Sequence, residues 1–418
     1  MKGVFVILDG VADQPCKSLG QLTPLQAART PNLDEIAKKS KIEHCYTVKQ
    51  GIAPESSSAI VSLFGQDPTY APRGPLEAQG AGIKFKKGDL VLRCNFATID
   101  DLETGHILDS RAGRTLSTRE AQILAKAINE QVKLPFPFTF YPTIQHRGIL
   151  VIRGGFSANI SNADPFYGVG MINPATLTGP VKMKFAHPLD DDEESNLAAN
   201  LINSFIRHSH AVLDKHPVNI DRARKGLFAA NVLLCRDAGN EPVKFKKLRG
   251  RWRALCGMPL EIGIASALGM ELYRFDYPRL DGMDVYSALY EGLEISITNA
   301  IRMLKKFKKK TDYFYIHIKE TDIPGHDNKP HDKVKMLEII DAKLFSFLKH
   351  YVQDARLVVT ADHTTASRMK AHTDDPVPVL IYPSHQAENF AKKYSEEEGL
   401  KGKKLNPRKI IEQFILSK

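Results

Sequence analysis

The stretch Val4-Phe5-Val6-Ile7-Leu8-Asp9 opens the chain on an unbroken apolar run that stops at a carboxylate. Three later stretches share this form. Tyr313–Ile318 leads into Glu320-Thr321-Asp322-Ile323-Pro324-Gly325-His326, Leu357-Val358-Val359-Thr360 leads into Ala361-Asp362-His363, and His372 stands just before the apolar run Val377–Tyr382. A continuous apolar run of this length reads as a strand buried on both faces, the mark of a parallel sheet. Sites in such sheets gather at the carboxyl ends of the strands. Four metal-type endings, mixing carboxylates with imidazoles, predict an α/β fold with a two-metal centre there.

A chain of 418 residues exceeds what one core usually holds, so two domains are expected. With 43% apolar and 25% charged residues, its composition is that of an ordinary globular protein. No apolar run of about 18 residues is present, which excludes a membrane-spanning helix. A core strand within a few residues of Met1 leaves no room for a signal peptide. Cys16, Cys45, Cys94, Cys235 and Cys256 are scattered and form no CxxC pair, so reduced thiols in a cytoplasmic protein are expected. The net charge of +10 draws on Lys305-Lys306-Phe307-Lys308-Lys309-Lys310 and on the stretch Lys401–Lys409. Without a helix-turn-helix, zinc-finger or RNP signature these runs read as solvated faces, and no specific nucleic-acid partner is expected.

The first sixty residues alternate strand and helix. Thr30-Pro31-Asn32-Leu33-Asp34-Glu35 predicts a helix with a threonine N-cap and proline at its first position. A second helix is expected from about Pro54 through Phe64, ending at Gly65. The Gly- and Pro-rich segment Arg73–Gly82 marks a crossing. Beyond it lie short strand-like runs (Leu90–Ala97, Gly148–Ile152), a helix opened by the capping box Ser117-Thr118-Arg119-Glu120, and an irregular stretch from Gly154 to Glu194. Strand–helix alternation resumes near Trp252. All the metal-type residues lie in the outer portions. The predicted organisation is therefore a discontinuous α/β metal domain, residues 1–75 and 247–418, interrupted by a smaller α+β domain, residues 76–246.

Asp322 and His326 are expected in a loop containing Pro324 and Gly325, free to converge on one ion. Asp362 and His363 would face opposite sides of an extended strand, so joint use demands a turn after Thr360 or a ligand for each of two ions. His208, His210, His216 and His331 lack the strand-end context and are read as surface or loop residues. Ser56, Ser57 and Ser58 stand at the expected helix N-terminus. They serve either as caps or, for one of them, as a metal-activated nucleophile toward phosphorus. The residues alone leave that choice open.

The chain also resembles the archaeal-type cofactor-independent phosphoglycerate mutases of the alkaline phosphatase superfamily. The resemblance rests on Ile7-Leu8-Asp9-Gly10, Thr23-Pro24-Leu25-Gln26-Ala27-Ala28 with Thr30-Pro31-Asn32-Leu33, Gly51-Ile52-Ala53-Pro54-Glu55-Ser56 and Arg73-Gly74-Pro75-Leu76-Glu77-Ala78. It continues in Arg93-Cys94-Asn95-Phe96-Ala97-Thr98, Leu108-Asp109-Ser110-Arg111-Ala112-Gly113-Arg114, Gly325-His326-Asp327, Thr360-Ala361-Asp362-His363 and His372-Thr373-Asp374-Asp375-Pro376-Val377-Pro378-Val379. It implies an alkaline-phosphatase-like, mostly parallel sheet sandwiched by helices, with an inserted transferase domain. It assigns Asp322, His326 and His372 to one metal, and Asp9, Ser56, Asp362 and His363 to the other. Two departures stand out. Ser57 occupies a position where many relatives carry an acid, and Thr364-Thr365-Ala366-Ser367 replaces a Ser-Thr-Pro-Cys-like run.

The implied reaction interconverts 3-phosphoglycerate and 2-phosphoglycerate, as in glycolysis and gluconeogenesis, with no 2,3-bisphosphoglycerate. Ser56 would become a phosphoserine at two divalent ions, Mn²⁺ or otherwise Zn²⁺, Co²⁺ or Mg²⁺. Glycerate must be retained and water excluded, a task for the inserted domain as a lid. Arg111 and Arg114 flank the small Ala112-Gly113 pair and suit bidentate oxyanion binding. Asp109 is an acid/base candidate, and His146, Arg147 and Arg236 are further substrate-binding candidates. A metal-dependent phosphomonoesterase or phosphopentomutase of the same superfamily is the alternative reading, and a non-catalytic basic binding protein is the remote one.

Overall fold

The computed structural model describes residues 1–168, 180–277, 285–383 and 393–416. In chain order its strands are β1 (Gly3–Leu8), β2 (Lys41–Cys45), β3 (Leu90–Ile99), β4 (Ile107–Asp109), β5 (Phe138–Pro142), β6 (Arg147–Ile152) and β7 (Val232–Gly239). They continue with β8 (Trp252–Cys256), β9 (Glu271–Arg274), β10 (Tyr313–Ile318), β11 (Arg356–Thr360), β12 (Thr364–Ala366), β13 (Ala371–Thr373) and β14 (Val377–Tyr382). The chain divides into two compact units. One comprises Met1–Ala71, Lys244–Pro278 and Leu289–Lys418, and the other Pro72–Val243 with Arg279–Ala288.

The first unit is built on a seven-stranded sheet in the order β2-β14-β11-β1-β10-β8-β9. β11, β1, β10, β8 and β9 run parallel, and β14 is antiparallel to both of its neighbours. The fold is therefore α/β with a mostly parallel sheet. Val4 through Leu8 are wholly buried, as a central parallel strand covered on both faces requires. The register sets Leu8 opposite Ile318 and Ile7 opposite Thr360, so β1, β10 and β11 finish almost level. Three of the four expected ligand-bearing ends thus come together. The fourth is delivered differently: His372 lies on β13, half of a separate hairpin with β12, and not at the end of a strand of the main sheet.

Local structure departs from the sequence reading at two helix starts. Pro31–Ala37 forms, but the Thr30 side chain does not cap it. The backbone N–H groups of Asn32 and Leu33 donate instead to the Asp341 carboxylate, 309 and 308 residues away in the chain. Asp322–His326 is a single α-helical turn and not a loop, which sets the two side chains on one face at i and i+4.

The helix Ser56–Leu63 is buried at every position and ends at Phe64. The Phe64 ring packs edge-on to Phe5, Trp252 and Tyr315, with centroids 5.4, 5.8 and 4.9 Å away. This aromatic knot fastens the serine-bearing helix to β1, β8 and β10.

The second unit holds an antiparallel sheet ordered β4-β3-β6-β5, with β7 paired to β3. The helices Thr118–Gln131 and Glu193–Asp214 add to its core, the first opened by the expected Ser117–Glu120 capping box. The irregular stretch expected between Gly154 and Glu194 includes residues 169–179, which lie outside the described residues. His208 and His210 are on the helix Glu193–Asp214, His331 is in the helix Pro330–Ile340, and His216 stands in the connection before the helix Pro217–Arg224, which it caps; His208 and His331 are exposed, as expected of surface residues.

Truncating Phe64 to alanine leaves a cavity between that helix and the sheet. We expect Phe64→Ala to destabilise the first unit by about 3–5 kcal/mol. Urea unfolding followed through Trp252, the chain's single tryptophan, reads it directly.

Candidate metal centre

Asp9 follows β1, and its backbone N–H donates to the Ile318 carbonyl at 2.8 Å. Asp362 follows β11 at a bend, where its Oδ1 accepts from the Gly10 and His363 amides at 3.0 and 3.1 Å. That bend after β11 is the first of the two arrangements the sequence left open. It lets Asp362 and His363 act together. Two groups of potential ligand atoms result, each drawn within 4.8 Å: Asp9, Asp362 and His363, all buried, and Asp322, His326 and His372, all half-buried.

Both groups have the hydrogen-bonding pattern of a cation site. His326 Nδ1 lies 3.0 Å from the Lys370 carbonyl and His372 Nδ1 lies 2.8 Å from the Pro54 carbonyl. A carbonyl only accepts, so both Nδ1 atoms carry their proton. In neutral rings the two Nε2 lone pairs then face each other at 3.2 Å, beside the Asp322 carboxylate. Burial, with the like charges of His363 and His326, pushes His372 down to about 3 and so holds it in the neutral, ligating form. In the other group Asp9 Oδ1 and Asp362 Oδ2 are buried with no hydrogen-bond partner among the described residues. His363 Nε2 is 3.3 Å from Asp9 Oδ1 and 3.4 Å from Asp362 Oδ2, near but out of hydrogen-bonding line. Donor atoms that crowd together without bonding one another fit an ion between them.

The electrostatics agree. Burial would raise the Asp9 carboxyl, but the Lys319 ammonium and the His317 and His363 imidazoles overcome it and hold it well below the usual range. Burial and the Asp9 charge raise Asp362. Burial works against the charged form of His363, yet Asp362 and Asp9 bring it up to about 9. The pocket is thus strongly negative and attracts positive charge.

Ser56 is the first residue of its helix, and its Oγ lies 3.2 Å from His363 Nε2. None of the three serines caps the helix. The N-cap is Glu55, with no side-chain cap, and Ser58 Oγ donates to the Glu55 carbonyl. Ser56 Oγ thus stands against His363, while the Ser58 hydroxyl is turned to the Glu55 carbonyl.

Several contributors went unread in the sequence. His317 Nε2 is 3.4 Å from Asp9 Oδ2 and 3.8 Å from Asp362 Oδ2, and the Lys319 ammonium pairs with Asp9 and lies 3.4 Å from Glu261. Their signals were present: a histidine inside the apolar run of β10, and a glutamate inside the otherwise apolar helix Pro259–Ala267. Lys333 carried no such signal. It is fully buried, and its Nζ donates to the Gly10 and Thr365 carbonyls and to Asp13 Oδ2 at 3.0, 2.9 and 2.9 Å.

The remaining candidates belong to the second unit. Asp109 Oδ1 accepts from the Arg111 and Gly113 amides, both at 2.7 Å, and clamps a turn in which Ala112, Gly113 and Arg114 all have positive φ. Arg147 begins β6, and His146 just before it is buried, held neutral by burial and by the charges of Arg147, Arg111, Arg93 and Arg114. Arg236 is buried on β7, donates to Asp237 and stacks on the Tyr167 ring at 3.4 Å. Arg93, which the sequence reading did not single out for the site, pairs with buried Glu77, and Arg73 also bonds Glu77 at 2.6 Å. These side chains form an arginine-rich cluster.

A parallel α/β sheet bearing two candidate cation clusters at its carboxyl ends defines the class of protein, and comparisons with known proteins narrow it. The family model for 2,3-bisphosphoglycerate-independent phosphoglycerate mutase matches residues 37–219. Proteins of that description from Thermococcus kodakarensis and Aeropyrum pernix are 36% and 37% identical to the chain, covering 96% of it and 93% and 95% of their own length. A solved structure from Pyrococcus horikoshii, 26% identical, superposes with a TM-score of 0.72 over 99% of this chain and 96% of that one. The cofactor-independent phosphoglycerate mutase of Thermoplasma acidophilum, also 26% identical, gives 0.54 over 99% and 100%. The chain belongs to the family of 2,3-bisphosphoglycerate-independent phosphoglycerate mutases.

Two outcomes follow from the buried ion pairs. Lys333→Met leaves the Asp13 carboxylate unpaired and should cost about 3–5 kcal/mol in urea unfolding, with most of it recovered in Lys333→Met/Asp13→Leu. For Glu77, burial raises the carboxyl, but Arg93 and Arg73 bring it down to about 2 from 4.5. Its folded pKa lies below the unfolded one, so its contribution of about 3 kcal/mol is complete above pH 4.5 and is lost as pH falls toward 2. Unfolding measured across that window should be steep in the wild type and flatter in Glu77→Gln.

Proposed function

We propose that Ser56 is the phosphoryl acceptor in the family's interconversion of 3-phosphoglycerate and 2-phosphoglycerate, acting as an isomerase through a phosphoserine. The observation that carries the assignment is the Ser56 Oγ at the helix N-terminus, 3.2 Å from His363 Nε2 and against the Asp9/Asp362/His363 group. Asp322, His326 and His372 would hold one divalent ion, and Asp9, Asp362 and His363 with Ser56 the other. Such ions, Mn²⁺ best fitting mixed carboxylate and imidazole donors, supply positive charge that lowers the serine pKa and offsets charge on the transferring oxygens.

The chain's own groups account for the remaining steps. Ser56 gives up its hydroxyl proton and its Oγ attacks phosphorus in line, forming an O–P bond as the bond to the glycerate oxygen breaks, and that freed oxygen takes up a proton to become a hydroxyl. Backbone N–H groups at the start of Ser56–Leu63 favour the phosphate oxygens. Glycerate turns, and its other hydroxyl loses its proton and attacks the phosphoserine, so that the Ser56 Oγ–P bond breaks and Oγ recovers a proton. Retention of glycerate is assigned to the arginines: Arg111 and Arg114 would bind the carboxylate, Arg147, Arg236 and His146 would be further contacts, and Asp109 would manage the hydroxyl proton through the oxygen not committed to the turn. Residues 76–246, acting as the transferase domain, keep water out, which separates a mutase from a phosphatase.

The test supplies Mn²⁺ and 3-phosphoglycerate without any bisphosphoglycerate and couples the product to enolase. The wild type forms 2-phosphoglycerate, and EDTA abolishes the signal. Ser56→Ala lowers kcat by more than about a thousandfold, whereas Ser57→Ala stays within about tenfold. Inorganic phosphate accumulating without 2-phosphoglycerate would replace the mutase reading with a phosphatase.

A further inference from the structure

We propose that the Thr365 hydroxyl is a positioning group that ties the two cation clusters together, so that the ligands of each are oriented through the other. The inference rests on the two-ion reading above and concerns a residue that ligates neither ion. Thr365 is fully buried on β12. Its Oγ1 lies 3.0 Å from His363 Nδ1, in one cluster, and 2.7 Å from Asp322 Oδ1, in the other. Across the hairpin it is the register partner of His372, a third candidate ligand.

Proton counting leaves one arrangement. His363 Nε2 faces Asp9, Asp362 and Ser56 and must keep its lone pair to ligate an ion. Its proton therefore sits on Nδ1, which donates to Thr365 Oγ1. A hydroxyl has a single proton, and the acceptor left for it is Asp322 Oδ1. The result is a directed chain, His363 Nδ1–H to Thr365 O–H to Asp322, which fixes the histidine tautomer in one cluster and the carboxylate rotation in the other. A chain of this kind is the device by which ligand partners tune affinity.

The surroundings hold the hydroxyl in place. The Thr365 amide donates to the Ala12 carbonyl at 3.0 Å, and the Thr365 carbonyl accepts from Lys333 at 2.9 Å. Gly10, at φ +53°, lies so close that a methyl group there would run into both the Thr365 hydroxyl and the Asp322 carboxylate. The backbone has been given room at the point where the two clusters are joined.

Calorimetric titration of the metal-stripped chain with Mn²⁺ tests the coupling without reference to activity. The wild type takes up two ions. Thr365→Val, equal in shape but lacking the hydroxyl, weakens both ions by at least about tenfold, while Thr365→Ser stays within about threefold of wild type. Metal-free melting of each variant separates this from misfolding, and if valine does not fold, Thr365→Ala against Thr365→Ser reads the same contrast. Wild-type affinity in the hydroxyl-free variant overturns the proposal. So does weakening of one ion alone, or a serine variant as weak as valine. A wild-type chain that binds fewer than two Mn²⁺ ions overturns the two-ion reading beneath it, whatever the variants do.

Discussion

Asp9 and Asp362 end neighbouring parallel strands deep in the first unit, and each makes the other's charge harder to hold. Their closeness is imposed by the sheet, because the pairing of Ile7 with Thr360 leaves the two carboxylates no way to part without breaking the register. Buried like charges persist only beside cations. The lysine and imidazoles gathered around them meet part of that demand, and the two carboxylate oxygens left without a hydrogen bond show that part of it stays open. Much of the site, from Lys319 just past the end of β10 to the helix that presents Ser56, is arranged around this one concentration of negative charge.

The second unit has the opposite character. Arg93, Arg147 and Arg236 lie on its antiparallel strands, and Arg111 and Arg114 flank a clamped turn, with Glu77, Asp164 and Asp237 as local counter-charges. Burial raises Asp164 to about 6 even though Arg236 opposes the shift. One unit gathers buried carboxylates, the character of a cation site, and the other gathers arginines, the character of an anion site.

What could be read in advance followed from periodicity. Asp9, Asp362 and His363 were legible because each follows an apolar run long enough to be a strand, and Asp322 because it lies just past another. His372 was found by residue type, but its position in a hairpin of three-residue strands was not, since strands that short show no period. The turn Asp322–His326 was missed because Pro324 and Gly325 signal a loop, although proline is tolerated in the first turn of a helix. Asp341 capping the helix Pro31–Ala37 and Lys333 bonding Gly10 are contacts across 308 and 323 residues, and Thr365 bonding Asp322 joins separate elements 43 residues apart. No local pattern announces them. The choice among Ser56, Ser57 and Ser58 likewise needed the helix's orientation, which sequence spacing alone does not provide.

The two clusters differ in how open they are. Asp322, His326 and His372 keep 20%, 16% and 12% of their side-chain surface exposed, whereas Asp9 keeps 3% and Asp362 and His363 none. An ion in the outer group could trade its protein ligands for water one at a time. The inner group offers no such path, and the loops that enclose it are pinned by a buried lysine. Exchange there must wait for local opening of the structure. Ions held at the two positions would therefore differ in exchange: the deep one would turn over slowly, and the outer one would respond to the ions present from moment to moment.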